Sequence, residues 1–288
     1  MTKRNYTPTN SISNTSNMDW LNKEILNRIN DNMPGNGKSR QKIFRHKTAL
    51  WLDKTFFEIL DCCNVRTLFE CGAREASASK LFVEKMGGKA IAIEANPYTY
   101  KSMTLKSEAF GVKTLNIGLG EKAGNFDLNI PLESETKGSA SFLRKPDKQY
   151  RCVNVPVETL DNIGKKYLRP RTNYALWVDV EGMALEVLKG GANLLDDSRC
   201  SAVKVEVEER MFWMNQKTAG DVNKFLTQFG FIPVSRDIEY EQQYNVIYLK
   251  QELVELCAPT LSKSLEALSK IKLNLFEILF PKFQKILK

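Results

Sequence analysis

The chain has 288 residues, 42% apolar and 26% charged, which is the make-up of a soluble protein with a real hydrophobic core. No run of about 18 apolar residues occurs, which excludes a spanning helix, and the polar start Met-Thr-Lys-Arg has no secretory signal pattern behind it. The net charge of +8 sits on the flanks: residues 1–50 hold nine Lys/Arg against three Asp/Glu, residues 251–288 six against four, and residues 51–250 balance at 27 each. A folded nucleic-acid reader carries its basic stripe on the body, so nucleic acid is disfavoured as a partner.

Taken in chain order, residues 1–18 read as a disordered polar terminus rich in Thr, Ser and Asn. Asp19 caps a predicted helix to about Asn30, with Trp20, Leu21, Ile25 and Ile29 on one face, and Pro34-Gly35-Asn36-Gly37 breaks it. This helix and its linker fill 19–47. Thr48 opens a second amphipathic helix to about Cys63. Strand and helix signals then alternate through residue 250. Strands are predicted at Arg66–Glu70, Lys89–Glu94, Val112–Ile117, Asn125–Ile130, Cys152–Val157, Ala175–Asp179, Ala202–Val207, Phe231–Ser235 and Asn245–Leu249. Helices are predicted near 76–87, 97–109, 158–167, 183–190 and 218–229.

The strands at 66–70, 89–94 and 175–179 are apolar on both faces, as parallel central strands are. Single helices between strands imply right-handed crossovers and an open sheet covered on both sides. The last two strands lack a helix between them and form a terminal antiparallel hairpin. One α/β domain over 48–250 is the economical reading. Residues 251–288 form a separate basic segment, in which Leu261, Leu265, Leu268, Ile271, Leu275, Ile278 and Leu279 recur at spacings of 3 and 4 until Pro281. Such a helix packs on the domain or on a second subunit; its alternative is peripheral contact with an anionic membrane.

Six cysteines show no C-x-x-C spacing and only one histidine, His46, is present. Reduced thiols in a cytoplasmic setting are expected, and any general base is a carboxylate, Lys or Tyr. Open parallel sheets bind ligands at the carboxyl ends of their strands, where strand order reverses. The first such end reads Phe69-Glu70-Cys71-Gly72-Ala73-Arg74, with an acid to face an ammonium group and a glycine for close backbone approach. Only Gly72 fits a dinucleotide G-x-G-x-x-G loop, which disfavours NAD. The second strand ends at Glu94, where a carboxylate can accept from both hydroxyls of a ribose. Two strand-end acids at this spacing favour an adenosyl ligand. A third end, Trp177-Val178-Asp179-Val180-Glu181-Gly182, brings Asp179 and Glu181 to the same rim, and register decides whether Glu206 or Glu208 joins them.

In this order the motifs E-C-G-A, I-A-I-E-A-N-P, V-E-T-L-D and V-D-V-E-G followed by A-L-E-V-L-K-G-G resemble the FkbM family of S-adenosylmethionine-dependent methyltransferases, over about 66–210. The resemblance implies a class I methyltransferase fold: a Rossmann-like, seven-stranded, mostly parallel sheet with a terminal antiparallel hairpin and helices on both faces. It implies S-adenosylmethionine as cofactor and methyl transfer to a hydroxyl of a sugar, glycan or small metabolite. By analogy Glu70 and Gly72 hold the methionine portion, Glu94 the ribose, and Ile117 and Gly118 the adenine edge, with Asp179 beside the methyl group; Asn96 is counted with the cofactor-binding residues. Arg74 and Ala76 stand where the family has Asn and Gly; Arg74 either closes over the cofactor carboxylate or marks weakened binding.

Asp179 is the first candidate base and Glu181 the second; two acids on one loop permit a divalent ion without requiring it. Loops 131–150 and 208–217 are expected to set acceptor specificity. An RNA methyltransferase using the basic first 50 residues, a non-catalytic adenosyl-binding module and a membrane-tethered scaffold are the competing readings.

Overall fold

The computed structural model describes residues 14–35, 37–133, 138–146, 148–274 and 277. Helix α1 (Asn14–Ile29) starts ahead of the expected Asp19 cap, and its buried stripe is Met18, Leu21, Ile25 and Ile29. Trp20, counted on that face from sequence, is 61% exposed; Met18 continues the three-to-four spacing and Trp20 does not. Helix α2 (Lys38–Cys62) is one long helix rather than a helix opening at Thr48. Its first turns are basic, with only Ile43 and Phe44 buried, so the apolar period is faint there. Thr48 is no cap: its hydroxyl donates back to the Arg45 carbonyl within the helix, at 2.6 Å.

Alternation then proceeds as expected through β1 (Val65–Cys71), α3 (Ser77–Met86), β2 (Lys89–Ile93) and α4 (Pro97–Glu108). The strand predicted at Val112–Ile117 is split into β3 (Lys113–Leu115) and β4 (Gly118–Leu119), because Asn116 turns its amide onto the Glu94 carbonyl at 2.8 Å and leaves the ladder. Strands β5 (Gly124–Pro131) and β6 (Tyr150–Glu158) pair antiparallel and join β4 in a separate three-stranded sheet. Helix α5 (Leu160–Tyr167) leads to β7 (Asn173–Val178), and short helices α6 (Ala184–Lys189) and α7 (Ala192–Asp196) follow. Sequence reading missed α7, which Gly190-Gly191 separates from α6. Then come β8 (Cys200–Glu208), α8 (Ala219–Thr227), β9 (Phe231–Arg236), β10 (Gln243–Lys250), a single 3₁₀ turn and α9 (Val254–Ser269).

The main sheet has seven strands in the order β3-β2-β1-β7-β8-β10-β9. All neighbours are parallel except β10, antiparallel to both β8 and β9. That is the expected seven-stranded sheet with its antiparallel end. From β1 the chain first winds outward to β2 and β3, then returns to the other side of β1 through β7. Strand order therefore reverses between β1 and β7.

Helices cover both faces. On one, Trp177 of β7 meets Phe56 and Phe57 of α2, with ring centroids 5.7 and 6.3 Å apart. Tyr174, an odd number of residues earlier and so on the opposite face, donates its hydroxyl to Leu194 in α7 at 2.7 Å. Helix α9 lies on α2: Cys257 and Leu268 are fully buried, and the Trp51 indole donates to the Ser264 carbonyl at 2.9 Å. The C-terminal apolar stripe thus packs on the domain as far as it is described. The helix ends at Ser269 rather than continuing to Pro281; Leu275, Ile278 and Leu279 lie outside the described residues.

The two sheets meet where Gly190, after α6, faces Gly120, after β4. A Cβ on Gly190 would stand 2.1 Å from the Gly120 carbonyl oxygen, a backbone atom that cannot swing aside. Gly190→Ala is therefore expected to destabilise the fold by about 1–3 kcal/mol, the usual range for overpacking, read as a lower denaturant midpoint with unchanged slope.

Candidate active site

The reversal point opens into a cleft bounded by the ends of β1, β2 and β7 and by the small sheet. Its walls include Gly72, Arg74, Glu94, Asn96, Ile117, Gly118, Asp179 and Glu181. Glu70, and Glu206 and Glu208 of the rim read from sequence, are not on the wall.

The β1 loop makes the floor. The amides of Gly72 and Ala73 both donate to the Ile93 carbonyl at 2.9 Å, bending the chain across the end of β2. On the other side the Asp179 amide donates to the Cys71 carbonyl at 2.9 Å, and a Cβ on Gly72 would fall 1.8 Å from the Asp179 carbonyl oxygen. With φ at +80°, no other residue fits at Gly72. Arg74 and Ala76 also hold left-handed backbone, at φ +48° and +53°. These are the two positions where the resembling family has Asn and Gly, residues that tolerate such angles. The loop keeps its shape and carries the strain.

Glu94 is pinned at the centre. One carboxylate oxygen accepts from the Arg74 amide at 2.9 Å and the other from the Asn96 amide at 2.8 Å. Burial pushes its carboxyl upward and these two amides oppose the rise. Two amides leave further lone pairs on a group that can accept about four bonds. Glu70 sits behind the loop: it accepts from Ala78 and Ser79 in the first turn of α3, at 3.3 and 2.8 Å. It replaces the cap that Ala76 lacks, and burial raises its carboxyl to about 7. The expectation of direct ligand contact by Glu70 gives way to a helix-capping placement, which supports the loop from below.

Thr99, in the first turn of α4, lines the cleft with a buried hydroxyl that has no protein partner. Nothing in the sequence marked it. Ser141 and Phe142 come from the stretch after β5. The Ser141 hydroxyl donates to the Glu181 carbonyl at 2.7 Å, and the Phe142 ring lies within 2.5 Å of where a Gly118 side chain would start.

Acids crowd the β7 and β8 ends. Burial, reinforced by the charge of Asp179, pushes Glu181 up to about 8 and Glu208 to about 7. Burial together with Asp179, Glu181 and Glu208 holds Glu206 well above the usual carboxylate range. Burial also raises Asp179, against the opposing pull of Lys204 and of contact with Glu206. The register places Val178 opposite Val205, so Asp179 and Glu206 are cross-strand neighbours; Glu208 lies further along. Glu181 is held at φ +49°. Strained residues at a ligand cleft fit a functional site. The loops expected to set specificity meet above: the Met214 amide donates to the Arg144 carbonyl at 2.9 Å, and the Lys145 ammonium rests 3.8 Å from the Trp213 ring centre. Among the described residues, no group of three or more His, Cys, Asp or Glu is arranged to hold a metal ion.

A family model described as the methyltransferase FkbM domain matches residues 70–233, more than half of the chain. The chain belongs to the FkbM methyltransferase family. It is an S-adenosylmethionine-dependent methyltransferase on the class I, Rossmann-like fold. No curated protein matches the sequence. Similar solved structures include a precorrin-6y C5,15-methyltransferase from Geobacter metallireducens, at 13% identity over 65% of this chain and 80% of that one, with a TM-score of 0.36. Another is TrmK of M. capricolum in complex with S-adenosylhomocysteine, at 12% identity over 80% and 93%, TM-score 0.37. A third is the magnesium protoporphyrin IX methyltransferase of Synechocystis with bound S-adenosylmethionine, at 9% identity over 85% and 100%, TM-score 0.41.

The residues present fit S-adenosylmethionine. The glycine floor lets a ligand reach the backbone, Glu94 keeps acceptor capacity, the Thr99 hydroxyl is unmatched, and the acids suit a sulfonium cation. Glu181 and Glu208 carry protons below about pH 7 and lose them as pH rises through 7–8. Their ionised forms attract a cation, so the ratio of S-adenosylmethionine to S-adenosylhomocysteine affinity is expected to rise about tenfold from pH 6 to 9, since one unit of coupling is tenfold. Glu181→Gln flattens that rise; calorimetry with both ligands measures it.

Proposed function

We propose that the enzyme methylates a hydroxyl oxygen on a sugar, glycan or small metabolite, with Asp179 taking the hydroxyl proton. The observation that supports this best is the pair of acids, Asp179 and Glu181, facing the cleft at the strand-order reversal in a chain with one histidine. An alcohol needs its proton removed as its new bond forms, and a positioned carboxylate contributes about 10²- to 10⁴-fold.

When bound, S-adenosylmethionine supplies a methyl group already activated on a sulfonium. The protein's part is to bind, orient and handle the proton. Glu94 accepts from the ribose hydroxyls, with Asn96 holding its geometry. Ile117 and Gly118 bound the adenine edge, and Thr99 offers a hydroxyl on the same side. Gly72 admits the methionine portion to the loop, and Arg74 closes over its carboxylate. Asp179 accepts the acceptor's proton at a carboxylate oxygen, and Glu181 helps confine the acceptor. Loops 138–146 and 208–217, joined by the contacts of Met214 and Trp213, shape the acceptor end. Alignment of this kind accounts for up to about 7–11 kcal/mol in well-ordered systems. A reducing, cytoplasmic setting suits a chain with six free cysteines, of which Cys63 and Cys257 share a thiol hydrogen bond at 3.5 Å.

Glu94→Ala is expected to abolish cofactor binding in calorimetry; normal affinity would remove the ribose assignment. Asp179→Asn is expected to leave cofactor affinity intact and slow turnover by about 10²- to 10⁴-fold. Extracts incubated with enzyme and isotope-labelled methyl donor, followed by mass spectrometry, identify the product. Label on an ether oxygen supports the proposal, and label confined to nitrogen or carbon overturns it.

A further inference from the structure

Beneath the acidic rim lies a buried cation that the catalytic scheme has not used. Lys204 of β8 is 3% exposed. Its ammonium is 2.9 Å from the Asp53 carboxylate of α2, 3.3 Å from the Asn245 amide oxygen of β10, and 3.5 Å from the centre of the Trp177 ring. Asn245 is locked in that orientation, because its amide nitrogen donates to Asp237 at 3.0 Å. A lysine this enclosed needs acids around it to stay charged.

Lys204 pairs in register with Trp177, and Val205 with Val178. In a parallel pair the side chains two residues on share the same face. Asp179 and Glu206 are therefore the next side chains along from Trp177 and Lys204, on the face that α2 covers. The groups around Asp179 come from every neighbouring element: Arg74 from the β1 loop, Glu70 and Glu94 at the ends of β1 and β2, Glu181 on its own loop, and Lys204, Glu206 and Glu208 from β8. Glu239 and Tyr240 face it from the turn before β10, and Asp237 and Asp53 face Lys204. Acids outnumber cations throughout, so two cross-strand neighbouring carboxyls, Asp179 and Glu206, cannot both ionise freely. The cation decides which one does.

We propose that Lys204 is a positioning residue for the acceptor-side base: clamped between Asp53 and the Trp177 ring, its ammonium keeps Asp179 as the ionised member of a carboxyl pair whose proton resides on Glu206. This deepens the reading of Asp179 as base and rests on it for catalytic meaning, but the charge arrangement itself belongs to the protein without any ligand. Glu206 then serves as the proton-holding partner rather than as a second base. Asp53 competes with Asp179 for the same ammonium. Removing the cation and removing its competitor must therefore act in opposite directions.

The test is carbon-13 NMR of the full chain labelled at aspartate carboxyl carbons, with the Asp179 resonance assigned by its loss in Asp179→Asn. In Lys204→Met the apparent Asp179 midpoint is expected to move up by at least one pH unit, while Lys204→Arg keeps the wild-type midpoint. In Asp53→Asn, where the side chain is 36% exposed, the midpoint is expected to move down. Opposite shifts support the proposal, because a merely structural disturbance has no reason to reverse sign between the two. An unmoved midpoint in Lys204→Met, or shifts of the same sign in both variants, overturns it. Should Lys204→Met fail to fold, the direction in Asp53→Asn decides alone. Neither methyl donor nor acceptor enters this measurement, so failure of the O-methylation reading appears separately, in the labelled-methyl experiment.

Discussion

Everything at the active site depends on how closely two strand ends approach: the backbone at Gly72 passes so near the Asp179 carbonyl that a single methyl group could not be inserted. That approach exists because β1 and β7 are hydrogen-bonded neighbours on which strand order reverses, so the loops leaving them diverge and open a cleft. The same geometry brings the β2 end alongside, through the two amides shared by the Ile93 carbonyl. Glu94 then receives one amide from each loop, and its orientation follows from the fold rather than from side-chain chance.

Charge is organised around this cleft in two layers. The rim holds Asp179, Glu181, Glu206 and Glu208, each raised by burial. Beneath lies Lys204, tied to α2 by Asp53 and to β10 by Asn245. Helix α2 is in turn held by α9, through the Trp51 indole and the packing of Cys257 and Leu268. The C-terminal segment, read from sequence as a helix packing on the domain or on a second subunit, therefore contributes to the covering that keeps the lower layer dry. In a medium of low polarizability each of these charges acts over a longer range than it would in water.

The central strands and the cleft-lining acids Glu94 and Asp179 were legible because a parallel core strand is an unbroken apolar run, and an acid that ends one stands out against it. The order of motifs carried the family. Placement of Glu70 was not legible: strand alternation says which face a side chain takes, not that a helix start lacking its own cap will claim it. Thr99 left no trace, being one hydroxyl on a helix whose first turn is otherwise ordinary. Lys204 reads as a strand lysine of the kind that points to water, and only the cross-strand register with Trp177 and the run of α2 overhead reveal its burial. The basic first half of α2 and the split between β3 and β4 escaped for a related reason: long-range contacts, through Asn116 in the second case, outweighed local pattern.

The left-handed backbone at Arg74, Ala76 and Glu181 has a consequence for how this molecule can change over time. Each such residue costs about 1–2 kcal/mol relative to a relaxed conformation; Arg74 and Glu181 line the cleft, and Ala76 lies in the same loop as Arg74. A substitution to asparagine or glycine there would relieve tension without repairing anything the fold lacks. Elsewhere in the chain, by contrast, marginal stability must be guarded against loss. The cleft is thus the region where drift toward greater robustness is easiest, and where selection for turnover has to hold the line against it.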